Sequence, residues 1–156
     1  MQIYSQSFCN QNVKSNTNFR STFVPTKTLG KAFSAAEERR DKHFLKAVRK
    51  LLKDKYNRKI TVDSFTSGPE NNKIYEGTII KAGTENFKIK SEPIEILNDK
   101  LILEPQDCEA LIGQDSRLAI RQLAGKPHDR AVTLMTRRQV LAEIQKIRDM
   151  IFKQQV

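Results

Sequence analysis

Apolar positions recur with a helical period from Ser34 to Tyr56, SAAEERRDKHFLKAVRKLLKDKY, and the two opposed faces they create are the clearest pattern in the chain. At 3.6 residues per turn, Phe44, Leu45, Val48, Leu51 and Leu52 form one stripe, while Arg39, Lys42, Lys46, Arg49, Lys50 and Lys53 project from the other side. Ser34 and Glu37 have capping-box spacing, which predicts a helix start at Ser34. A second helical stripe, Val140, Leu141, Ile144, Ile147 and Ile151, follows Thr136 and Gln139, which repeat that spacing.

Between the two helices the period shortens to that of a strand. KITVDSF, Lys59 to Phe65, is rich in β-branched residues and puts Ile60 and Val62 on one face. TSGPENN, Thr66 to Asn72, is dense in turn formers. Ile74 to Ala82 and Asn86 to Ser91 form a hairpin around Gly83, with Phe87 and Ile89 on one side and Lys88 and Lys90 on the other. A tight turn at Asn98-Asp99 pairs Ile94 to Leu97 with Lys100 to Leu103. After Pro105, PQDCEALIG reads as a short helix stopped at Gly113, and Asp115 as the cap of another that runs to Ala124 before Gly125 and Pro127. Ala131 to Met135 reads as a last strand or as the lead-in to the final helix.

The expected architecture is α+β: a small antiparallel β-meander packed by the N-terminal basic amphipathic helix and the C-terminal amphipathic helix, side by side on its apolar face. Residues 34–156 form that single domain. Met1 to Phe33 is rich in Ser, Asn, Gln and Thr, lacks Asp and Glu, and has no sustained period, so a disordered polar leader is expected there. In composition it resembles transit peptides and the unfolded export leaders of bacterial effector proteins, without a shared motif. Cys9 and Cys108 lack any zinc or CxxC spacing and read as free thiols in a reducing compartment. No apolar run is long enough to span a bilayer.

Charge then narrows the partner. The formal net charge of +10 favours a polyanion. It is unevenly distributed: residues 34–59 carry ten basic and four acidic side chains, whereas residues 60–104 carry five and eight. A polyanion is therefore expected along the first helix and the leader, and not on the meander. A helix before a bent meander containing KITV and YEGTII resembles the element order of Sm-like RNA-binding barrels. The second Sm signature is absent and the meander is acidic where those proteins read RNA, so the chain is not assigned to that family.

A second basic group, Arg117, Arg121, Arg130, Arg137 and Arg138, brackets the later helices and suits bidentate anion contacts, although pairing with Asp115 and Asp129 would also account for it. Phe44, Phe65, Phe87 and Phe152 fit core patterns, leaving Tyr56 and Tyr75 as candidate stacking platforms. His43 lies among lysines as a solvated imidazole, and no GxSxG, phosphate loop, HExxH or paired metal carboxylates occur. Catalytic residues, metal sites and cofactors are accordingly not assigned, and the sequence leans away from an enzyme. The expected function is that of a binding protein whose sites are Arg39, Lys42, Lys46, Arg49, Lys50, Lys53, Arg117, Arg121, Arg137 and Arg138. The favoured partner is nucleic acid in the cytoplasm; the alternative is an acidic protein met by an exported, effector-type chain. An anionic membrane is disfavoured, because Phe44, Leu45 and Leu52 are needed for the core.

Overall fold

The computed structural model describes residues 20–69, 72–97, 100–101 and 105–153, with side chains described at all of these except 72, 94–97, 100–101 and 105–109. Its elements are β1 (Thr22–Phe23), α1 (Lys27–Arg39), α2 (Lys42–Lys53), β2 (Lys59–Ser67), β3 (Asn72–Ala82), β4 (Glu85–Leu97), β5 (Lys100–Leu101), α3 (Pro105–Ala124), α4 (Arg130–Thr133) and α5 (Arg137–Lys153). The fold is α+β, as the sequence predicts. The strands form one five-stranded sheet in the order β1-β2-β3-β4-β5. β1 pairs parallel to β2, and the rest is an antiparallel meander.

The predicted helix over 34–56 is two helices. Arg40 sits in the left-handed region at φ 47°, its N–H donates to the Glu37 carbonyl, and the Asp41 N–H reaches back to Ala36 at 3.0 Å. This is a Schellman ending built on arginine in place of glycine. Asp41 restarts the chain at once, its Oδ1 accepting the Phe44 N–H at 3.0 Å as the N-cap of α2. The expected capping box at Ser34 does not form: Ser34 is exposed in mid-helix, and the cap of α1 is Thr26, which accepts from Leu29 N–H and donates to the Val62 carbonyl at 2.6 Å. That second bond moors the helix to the sheet.

The boundary expected at residue 33 moves accordingly. Residues 20–33 belong to the domain, with Leu29, Ala32 and Phe33 fully buried and Phe33 meeting Phe44 edge to face at 5.1 Å between ring centres. Residues 1–19, including Cys9, lie outside the described residues.

Helix α3 is continuous through Gly113, where a stop was expected. The glycine is there because α1 crosses at that point: an added Cβ would lie 2.8 Å from the Lys31 carbonyl oxygen and 3.2 Å from the Ala35 methyl. Asp115, expected as a cap, is buried instead and accepts the Tyr75 hydroxyl at 2.6 Å and the Ser91 hydroxyl. Burial, then the bond to Asp115, push the Tyr75 phenol well above its ordinary range, outweighing the opposing bonds from Thr78 and Ser91. This network pins α3 to the sheet where β3 and β4 bulge. There Gly77 adopts φ 145°, an added Cβ would lie 2.0 Å from the Ile89 carbonyl oxygen, and Pro93 falls inside the register shift, where a missing N–H breaks no ladder.

α3 and α1 are thus the helices that cover the sheet, while α5 packs on α1 and α2. The expected pairing of the first and last helices on the sheet is corrected on this point. Helix α5 itself begins as predicted: Thr136 N–H donates to Gln139 Oε1 at 2.8 Å and Gln139 N–H to Thr136 Oγ1 at 3.2 Å. Val140, Ile144, Ile147 and Ile151 are buried on its stripe. The hairpin at Gly83, φ 61°, and the pairing of Leu97 with Lys100 are as expected, the latter turn lying outside the described residues. Ala131 to Met135 is not a strand but the lead-in to the final helix, its first residues belonging to the single turn α4.

Candidate polyanion-binding face

Helix α2 presents its apolar residues Phe44, Leu45, Ala47, Val48 and Leu51 to the core, which leaves its cations facing out. Three of its five lysines and arginines are occupied by the protein itself. Lys42 Nζ donates to the Thr133 carbonyl at 3.1 Å and Lys50 Nζ to the Ala124 carbonyl at 2.7 Å. Lys50 thereby satisfies the C-terminal end of α3, where a cation also matches the helix dipole. Arg49 Nε donates to Asp129 Oδ2 at 2.7 Å and its NH1 lies 3.9 Å from Glu143 Oε1.

Asp129 also caps α4, accepting the Val132 N–H at 3.3 Å. Burial alone would raise its pKa, but the Arg49 hydrogen bond, the Val132 N–H and the charges of Arg49 and Lys53 hold the carboxyl below its ordinary value. α4 is therefore held against α2 by two polar ties, from Lys42 and Arg49, while Lys50 ties α2 to the end of α3, and the space between α2 and α4 is an open basin of roughly 600 Å³. It is lined by Lys46, Arg49, Lys50, Lys53, Asp54, Lys55, His128, Asp129 and Arg130. Six cations face two carboxylates, so the basin carries a formal excess of +4. Lys46 and Lys53 make no hydrogen bond or ion pair among the described residues; Lys53 acts on Asp129 through its charge alone.

The other expected site residues divide three ways. Arg117 is not on a surface: its NH1 binds Asp41 Oδ2 at 2.5 Å, with side chains 9% and 6% exposed, and its Nε reaches Gln114. That assignment is corrected, since a guanidinium buried on the cap of α2 has no face left for a partner. Arg121, 34% exposed, stands 3.5 Å from the same carboxylate and is partly committed to it. Arg39, Arg137 and Arg138 are exposed but lie on α1 and α5, outside the basin lining.

Lys55, His128 and Arg130 join the basin although the helical period gave no reason to group them with α2. The signal that existed was Asp129, a capping residue three positions before Val132. Of the candidate platforms, Tyr75 is 1% exposed and is excluded, whereas Tyr56 is open. Phe44 is core and Phe87 and Phe152 pack against it, as expected, but Phe65 is half-buried outside the core, its ring 5.8 Å from Lys88 Nζ. His43 is exposed.

No group of three or more His, Cys, Asp or Glu able to hold a metal occurs among the described residues, and none of their helices is long and apolar enough to cross a membrane. No protein-family model, curated protein sequence or solved structure matches this chain.

Proposed function

We propose that the protein is a non-enzymatic binding protein of the cytoplasm that grips nucleic acid through the phosphates, using the basin between α2 and α4. One observation carries the reading: six cations line a single depression against two carboxylates, and two of them, Lys46 and Lys53, make no hydrogen bond or ion pair among the described residues. Phosphate binding of this kind releases condensed counterions, so affinity falls steeply with salt, by a logarithmic slope of about 0.9 per phosphate neutralised on duplex DNA. Titrating labelled DNA at increasing salt measures that slope. The double change Lys46→Glu plus Lys53→Glu is expected to remove binding at moderate salt without unfolding the chain. Binding that ignores salt counts against the reading. An acidic protein surface is the alternative occupant of the same basin, met inside the cell or after leader-dependent export. It is selected if a protein partner stays bound after nuclease treatment and is released by the same double change.

A further inference from the structure

We propose that the basin reads single-stranded nucleic acid, with the ring of Tyr56 serving as a stacking platform for a base. This rests on the phosphate-binding reading above and adds to it the class of nucleic acid.

Tyr56 is 71% exposed, and it follows Asp54 and Lys55, both basin-lining, directly in the chain. A single exposed aromatic is ordinary on protein surfaces. What distinguishes this one is the hydrogen-bonded loop that carries it and the guanidinium behind its ring. The Asp54 carboxylate accepts three bonds, from Ser21 Oγ at 2.6 Å, from the Tyr56 N–H at 3.1 Å and from Arg58 NH2 at 3.2 Å. Arg58 in turn donates from NH1 to Glu85 at 2.9 Å, and its guanidinium carbon lies 4.6 Å from the centre of the Tyr56 ring. Asn57, between them, takes the left-handed conformation at φ 51° that folds the loop back on itself.

The Arg58 side chain is only 12% exposed, and its buried Nε has no hydrogen-bond partner. A cation so poorly hydrated attracts an aromatic face more strongly than one in water. Arg58 therefore backs one face of the ring, whose remaining surface is open to solvent one residue beyond the basin-lining Lys55. A ring fixed before binding loses little entropy when a base lies on it. Every base has a flat face, so such a platform tolerates any sequence, but only an unpaired strand can turn a base out to meet it. Duplex DNA offers the basin its phosphates and nothing to Tyr56.

The test uses the full chain with two probes of equal length: fluorescein-labelled oligothymidylate of about 16 nucleotides and a labelled mixed-sequence duplex. Single strand is expected to bind more tightly than duplex. Tyr56→Ala is expected to weaken the single strand about tenfold while leaving duplex affinity unchanged, and Tyr56→Phe to keep wild-type affinity. Because the chain has no tryptophan, its tyrosine emission is directly visible. Oligothymidylate should quench it, and Tyr56→Phe should lose that quench despite binding normally. The inference is overturned if Tyr56→Ala binds single strand like wild type, if it weakens both probes alike, or if no Tyr56-dependent quench occurs. Equal binding of both probes, lost in the Lys46→Glu plus Lys53→Glu variant, overturns the single-strand inference and keeps phosphate binding. Binding of neither probe overturns both.

Discussion

Arg117 and Lys53 contribute equally to the net charge, yet they occupy opposite kinds of place. Arg117 is sunk between α2 and α3 on the Asp41 carboxylate, which also caps α2, so one acid joins a helix start to a buried cation. Lys53 stands on the rim of an open basin with no bond of its own. The difference lies in the acid opposite each cation and in whether water reaches the pair. A count of arginines and lysines therefore overstates the contact surface, and burial sorts the cations that hold the fold from those that can hold a partner.

The largest expected effect breaks the buried side of that contrast. Arg117→Ala leaves Asp41 charged in a site 6% exposed, with only Arg121 nearby, and is expected to cost about 3–5 kcal/mol in urea unfolding. A cost under about 1 kcal/mol would mean that Arg117 is a surface cation after all. Asp129→Ala, at the seam between the two regions, removes the α4 cap and the partner of Arg49 and should cost about 1–2 kcal/mol.

Asp129 also gives this seam a pH dependence. Its folded carboxyl titrates below the unfolded one, so its contribution is complete above about pH 4 and is lost as pH falls through the folded value. Stability measured during acid titration should show that loss in the wild type and a flatter profile in Asp129→Ala. The smallest effect is on the open side: Lys46→Ala plus Lys53→Ala should change stability by no more than about 0.5 kcal/mol while weakening nucleic-acid binding. A larger stability loss would place these lysines with Arg117.

The capping boxes show what was legible in the sequence and what was not. Ser34/Glu37 and Thr136/Gln139 share one spacing, but only the second forms, because Thr136 follows a break whereas Ser34 lies inside a helix already started by Thr26. Local chemistry states that a cap is available; tertiary structure decides whether a terminus is present to use it. The meander, its Gly83 turn and the α5 stripe were legible because each is fixed by neighbours in sequence. The break at Arg40 was not, since the left-handed residue is an arginine and no glycine marks it. Gly113 misled in the opposite sense, being a point of helix contact and not a stop. The basin was half legible: periodicity found the outward face of α2, but α4 reaches it through Asp129, about eighty residues from Arg49, a separation that no local pattern spans.

The crossing of α1 over Gly113 bears on how the protein is made. The carbonyl of Lys31 and the glycine that accommodates it are about eighty residues apart, so a ribosome adding about 5–20 residues per second delivers the second roughly 4–16 s after the first. Through that interval Leu29, Ala32, Phe33 and Ala36, buried on α1 in the folded protein, are still without α3. The hairpins of the meander, which need only their near neighbours, can close meanwhile. Synthesis thus presents α1 with α2 and the meander well before it supplies α3, the helix that packs on α1 most extensively.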